Sequence, residues 1–321
     1  MKVIRNVQKD GNICTPLFTT LTLIKDKNEI LFFNEHRLRH PLGICSVSED
    51  RFFMSLRDLS KYLNENKELK IVEGDNTLFI KTKEVIESIV AYLDDMYLIF
   101  KCFYPSKLVL KEITFASRWL SEAGCKESEN FKKTINGFLE PYIVTDNVIK
   151  HNHGRIGILR ATENLHDYAS GFFVEGVENG VIIPNEKIHP KFMGKSTAFS
   201  YNRFILDAFS NLYLISYYAD RTLKRILKEE YNFILDGSPI NIDSSKTTEA
   251  VDYINQTLTS ILFEDEYKKC SQVELVDGIL TIRTPADKSF IKSKFKGTSI
   301  ISMRMIISSD GITRSWRLPY M

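Results

Sequence analysis

The chain reads as an α+β protein assembled from a repeated unit, a helix followed by a β-hairpin. Three observations predict this class. Amphipathic runs place apolar residues three and four apart, shorter runs alternate apolar with polar residues, and Gly, Asp or Asn stand where the shorter runs would reverse direction.

In chain order, TLTLIKDK and ILFF flank Asn28-Glu29 as the arms of a hairpin. In LRDLSKYLN, Leu56, Leu59 and Leu63 share one helical face, and Arg57, Lys61 and Asn64 share the opposite one. ELKIVEG and TLFIKTK alternate about Gly74-Asp75-Asn76, which predicts a second hairpin. FASRWLSEAG and NFKKTINGFL read as helices, and PYIVTDNVIKHNHGRIGILRA reads as strand, turn, strand, reversing at Asp146-Asn147 or at His153-Gly154. STAFSY reads as a strand, NRFILDAFSNL as a helix with Phe204, Ala208 and Leu212 inward, and LYLISYY as a strand. RTLKRILKEE is helical again. TTEAVDYINQTLTSIL is a helix turning Val251, Ile254, Leu258 and Ile261 inward, and QVELVDGILTIRT is a hairpin about Asp277-Gly278. The tail predicts a last hairpin at Asp310-Gly311. Tyr104-Pro105-Ser106-Lys107 and Asp236-Gly237-Ser238-Pro239 are turn-rich linker candidates, dividing the chain into 1–105, 106–238 and 239–321.

With 321 residues, 43% hydrophobic and 12% aromatic, the chain can fill sizeable cores. Lys and Arg number 43 against 41 Asp and Glu, so the net charge of +2 supplies no bulk attraction to nucleic acid or to an acidic membrane surface. The opening MKVIRNVQKDGN lacks the apolar stretch of a secretion signal, and no run is long enough to span a bilayer, so a soluble, cytoplasmic protein is expected. The 5 cysteines, at 14, 45, 102, 125 and 270, are far apart and point to structural thiols in a reducing compartment, with no metal site expected.

Two motifs suggest chemistry. His36-Arg37-Leu38-Arg39-His40 spells the HxLRH box with which tyrosine recombinases hold a phosphate. It stands too early for the upstream half of such a domain, and Pro41 follows it, so a solvated basic loop is the better reading. His151 and His153 would share a face if they lay on a strand, as the paired histidines of a metal-dependent HUH-type nickase do, with Tyr217 or Tyr218 as nucleophile. Gly154 follows at once, which favours a polar hairpin tip. No phosphate-binding, dinucleotide-binding, serine-hydrolase or HExxH signature occurs, so neither catalytic residues nor a cofactor are expected.

Clustered cations remain. Arg57 and Lys61, with Lys67 beyond, follow one helix face, Lys132 and Lys133 lie in NFKKTINGFL, and Arg221, Lys224, Arg225 and Lys228 fall on one side of RTLKRILKEE. Stripes of this kind suit contact with phosphates without reading of bases. Other helices are balanced: Arg203 is offset by Asp207, and Glu249 and Asp252 are acidic.

Residues 50–83, DRFFMSLRDLSKYLNENKELKIVEGDNTLFIKTK, resemble one unit of the sliding-clamp family of DNA polymerase processivity factors. TAFSYNRFILDAFSNL resembles the strand and following helix of bacterial clamps, and SWRLPYM is similar to the closing strand with its Pro. The resemblance implies clamp-like domains at 1–105 and 106–238, the second with a longer insertion, a C-terminal α+β domain at 239–321 that could be a third clamp-like domain, helices inside a ring and sheets outside. It implies a homo-oligomeric ring, dimer or trimer, that encircles duplex DNA, slides on it, and tethers a DNA polymerase after a clamp loader has closed it. Arg57, Lys61, Lys67, Lys132, Lys133, Arg221, Lys224, Arg225 and Lys228 are then the DNA-facing candidates. The alternatives are the nickase and a viral structural or assembly protein without catalysis, the Asn, Lys and Ile usage being that of an AT-rich phage-like genome acting in an infected bacterial cell.

Overall fold

A computed structural model describes residues 2–6, 14–66, 76–110, 112–151, 154–163, 167–178, 181–192, 194–235, 249–250, 252, 254, 262–266, 270–276, 279–283 and 299–302. The chain is α+β: a bundle of long helices packs against small antiparallel sheets.

The bundle begins with α1 (Pro16–Leu23), started by Thr15, whose hydroxyl accepts the Phe18 N–H, and by Pro16 in the first turn. TLTLIKDK is therefore helix and turn, and Asn28–Ile30 is a short 3-10 helix, so the expected hairpin at Asn28-Glu29 does not form. α2 (Pro41–Glu65) follows the HRLRH box, and the box itself is a capping loop. His40 Nδ1 accepts the Leu42 N–H, its Nε2 meets the Lys25 carbonyl, and His36 Nε2 meets the Tyr104 carbonyl. Both imidazoles are committed to backbone, which removes the recombinase reading. Leu56, Leu59 and Leu63 face inward as their spacing predicts.

α3 (Thr77–Lys101) overturns the hairpin after α2. Leu78 and Ile80 would share a face in a strand, yet Leu78 is 5% exposed and Ile80 49%. The residues that settle the helix lie after TLFIKTK: Val85, Ile86, Ile89, Leu93 and Met96 continue the inward face set by Leu78 and Thr82. Residues 67–75, which include ELKIVEG and Lys67, lie outside the described residues. The unit on which the clamp resemblance chiefly rests is thus helix, connection, helix over its described part.

α4 (Ala116–Ala123) ends on Gly124 in the left-handed region, at φ 87°, and α5 (Lys126–His151) runs on through Pro141. PYIVTDNVIKH is helix, so the first strand and the turn at Asp146-Asn147 do not form. Pro141 gives up the N–H that would bond the Gly137 carbonyl, but it sits on the exposed side, where that carbonyl can be met by solvent. α6 (Tyr201–Tyr231) is capped by Ser200, whose hydroxyl accepts the Arg203 N–H, and ends at Asn232 with φ 48°. LYLISYY lies in its middle. Leu212, Tyr213, Leu214, Ile215 and Ser216 are all buried, because α6 is the central helix and touches α1, α2, α3 and α5. A helix covered on every side shows no amphipathic period and reads like a buried strand.

The sheets follow α5. β2 (Ile156–Glu163), β3 (Asp167–Glu178) and β4 (Val181–Pro184) form a meander, with β10 (Ser299–Ser302) on the free side of β2 and β7 (Phe199–Ser200) on β3. β5 (Lys191–Phe192) pairs with β6 (Lys195–Ser196). β8 (Gln272–Val276) and β9 (Ile279–Arg283) pair as the predicted hairpin, and β1 (Lys2–Asn6) lies on the other edge of β9. Glu249, Ala250, Asp252 and Ile254 are helical, with Ile254 inward as predicted. Leu262, the last residue of the expected helix, is not helical, and its other positions, the turn at Asp310-Gly311 and SWRLPYM lie outside the described residues.

One apolar core joins residues from Leu17 to Ile282 and crosses the positions expected to divide the chain at 105 and 238. Tyr104, placed in a linker by its composition, is buried and donates to Glu230, and Lys107 donates to the Ala123 carbonyl. All 5 cysteines are free, and Cys45, Cys102, Cys125 and Cys270 are buried.

Candidate functional site

A cavity of about 550 Å³ opens between α5, α6 and the face of β3, with Ile86 of α3 behind it. Its walls follow from helical spacing. Phe138, Tyr142 and Thr145 stand at i, i+4 and i+7 on α5, and Phe204, Asn211 and Tyr218 stand at multiples of seven on α6, so each set forms one stripe facing the other. Phe172 of β3, Phe199 of β7 and Leu214 of α6 add to the apolar lining, with Ile188 and Pro190 beside them.

The rings are packed against each other. Phe172 meets Phe204 edge to face at 5.0 Å, Tyr142 stacks on Phe204 at 6.0 Å, and Phe138 tilts onto Tyr218 at 6.2 Å. Gly171 makes this wall possible. A Cβ there would come within 2.3 Å of the Phe199 carbonyl oxygen and 2.8 Å of the Phe263 ring, so only glycine lets β7 and Phe263 approach β3 this closely.

One wall is polar. Arg203 Nε donates to Asp207 Oδ2 at 3.0 Å, its Nη1 lies 3.8 Å from Glu266 Oε1, and its guanidinium covers the Phe199 ring at 5.3 Å. Glu266, fully buried, accepts the Ser200 N–H at 2.9 Å and the Phe263 N–H at 3.0 Å, and Asp207 accepts the Ser271 N–H at 3.1 Å. These bonds clasp the segment after residue 262 onto the start of α6. Burial lifts the Glu266 carboxyl to about 7, with Arg203 and the Ser200 hydrogen bonds drawing it back. Burial pulls the Arg203 guanidinium down, but Asp207 and Glu266 outweigh it and hold the charge firmly on. The Tyr142 phenol is raised by burial and then by Asp207, so it stays neutral, within reach of the Asn211 amide. Behind the wall His189 accepts the Val174 N–H at Nε2, 2.8 Å away, which places its ring proton on Nδ1, and burial lowers it to about 3.

The described residues among those expected to face DNA stand elsewhere, and none of them lines this cavity. Arg57 pairs with Asp58 at 3.0 Å and with Glu249 at 3.4 Å, Lys61 with Glu65 at 3.9 Å, Lys224 with Asp220 at 2.8 Å, and Arg225 with Glu127 at 3.4 Å. Lys132, Lys133, Arg221 and Lys228 are exposed without a carboxylate partner among the described residues, Arg221 reaching the Tyr217 hydroxyl. Lys67 lies outside the described residues.

The nickase constellation is not assembled as a strand pair. His151 ends α5, Asn152 and His153 lie outside the described residues, and Tyr217 and Tyr218 sit within α6. Among the described residues no three His, Cys, Asp or Glu side chains converge as metal ligands, and no helix is long and apolar enough to cross a membrane. Sequence reasoning saw the Arg203–Asp207 offset but missed the cavity around it. The α5 stripe of Phe138, Tyr142 and Thr145 was available as a signal, hidden by reading PYIVTD as a strand. Comparison of the chain with protein-family models, with curated proteins and with solved structures finds no match.

Proposed function

We propose that the protein binds a small organic molecule in the cavity between α5, α6 and β3, and acts as a ligand-binding protein rather than through catalysis at this site. The observation that carries this reading is the cavity itself. Its volume of about 550 Å³ is that of a ligand site, its walls are largely aromatic, and Arg203, Asp207 and Ser271 give it one polar cluster. The polar groups are engaged with one another, so they orient a guest more readily than they attack it. Titrating the protein with 1-naphthalenemethanol by calorimetry tests the reading. Saturable one-to-one binding is expected, lost in Leu214→Trp, which fills the cavity from α6; absence of binding to the native chain overturns it.

A DNA-directed role, the clamp-like ring included, is the second reading. It is favoured by the exposure of Lys132, Lys133, Arg221 and Lys228 on α5 and α6. It requires salt-sensitive binding of duplex DNA that weakens on replacing these four residues by Ala, together with a ring-forming oligomer in light scattering. A monomer indifferent to duplex DNA at low salt removes it.

A further inference from the structure

We propose that the cavity selects an organic cation, an ammonium group carried on an aromatic body, over a neutral or carboxylate-bearing molecule of the same shape. This deepens the ligand-binding reading and rests on it.

The charge at the polar wall decides the sign. Among the described residues Arg203 is the single cation lining the cavity; it faces Asp207, which also lines the space, at 3.0 Å and Glu266, buried behind the wall, at 3.8 Å, with Asp265 adding to the same field. One guanidinium against those carboxylates leaves no positive excess for a ligand carboxylate or phosphate to meet. An anion drawn to Arg203 would sit beside Asp207 and Glu266, whose like charges offset what the guanidinium gives it. An ammonium, by contrast, adds a donor to a cluster already richer in carboxylates.

The aromatic lining acts in the same direction. Phe138, Tyr142, Phe172, Phe204 and Tyr218 present ring surfaces around the space, and ring faces attract cations. The protein already uses that attraction once at this wall, where the Arg203 guanidinium covers Phe199 at 5.3 Å. The Asn211 side chain, beside the Tyr142 hydroxyl, lines the same space and brings an amide oxygen that can accept from an N–H donor.

The experiment compares three probes with one body: 1-naphthylmethylammonium, 1-naphthalenemethanol and 1-naphthoate, titrated calorimetrically into the full chain at pH 7.5. The ammonium is expected to bind about tenfold more tightly than the alcohol, and the naphthoate more weakly than either. Tyr218→Leu removes a ring from the wall and is expected to weaken the ammonium more than the alcohol, so the ratio between the two shrinks; a ratio unchanged in this variant overturns the role given to the aromatic wall. Equal or tighter binding of the naphthoate overturns the charge selection and leaves the ligand-binding reading standing. Failure of all three to bind overturns the ligand-binding reading itself, and this inference with it.

Discussion

Glu266 offers a test of the clasp that shapes the cavity's polar wall. Its carboxyl sits at about 7 in the folded chain against 4.5 when solvated. The folded state therefore holds the proton more tightly, and the stability linked to Glu266 is fully present below pH 4.5 and is lost as pH rises through 7. At roughly 1.4 kcal/mol per pH unit, the gap amounts to about 3 kcal/mol. His189 works in the opposite direction. Its folded value of about 3 lies below 6.5, so its contribution is lost as pH falls, and the two slopes cancel between pH 4.5 and 6.5. Glu266→Gln isolates one of them. The amide oxygen can accept only one of the Ser200 and Phe263 N–H groups, which costs about 1–3 kcal/mol at every pH. On top of that offset, the stability difference between native and variant chains should be largest near pH 4.5, shrink by up to about 3 kcal/mol by pH 7, and then level off. Urea unfolding followed by far-UV circular dichroism at half-unit steps from pH 4.5 to 8 measures it. A difference that is flat, or that grows with pH, refutes the placement of an ionisable Glu266 in a buried site.

Other substitutions test the elements around it. Leu78→Ala should cost about 2–4 kcal/mol and Ile80→Ala less than about 0.5 in denaturant unfolding, since one is buried and the other half exposed; equal costs would restore the strand reading of TLFIKTK. Gly171→Ala forces β7 or Phe263 away from β3 and should lower stability by about 1–3 kcal/mol while weakening naphthalenemethanol binding through Phe199. Ser200→Ala removes the cap of α6 and should cost about 1 kcal/mol by the same assay.

Where an element buries one face, its residues showed it. The spacing of Leu56, Leu59 and Leu63, and of Phe204, Ala208 and Leu212, placed those side chains inward, and the alternation of QVELV and ILTIR marked β8 and β9. Alternation over a short window misled at TLFIKTK, because seven residues are compatible with either period until the following turns of α3 are included. At Pro141 a local rule was overridden: the cost of one missing hydrogen bond was smaller than the gain from burying Leu139 and Ile149 on either side of it. The basic residues were visible as residues, but their partners were not. Arg57 with Glu249 and Arg225 with Glu127 join positions far apart in sequence, and only folding brings such charges together.

By itself, the sequence determined the mixed α+β class, the inward faces of its amphipathic helices, and the hairpin of β8 and β9. Each of these depends on neighbours within a few residues, where periodicity and turn chemistry act. Tertiary structure alone decided that LYLISYY is helix, since its burial on all sides comes from α1, α2, α3 and α5 packing around α6. It alone brought Phe138 and Tyr142 opposite Phe172 and Phe204, and set Glu266 against Arg203. A cavity is the space that separate elements leave between them, so its shape and charge come into being only when those elements pack.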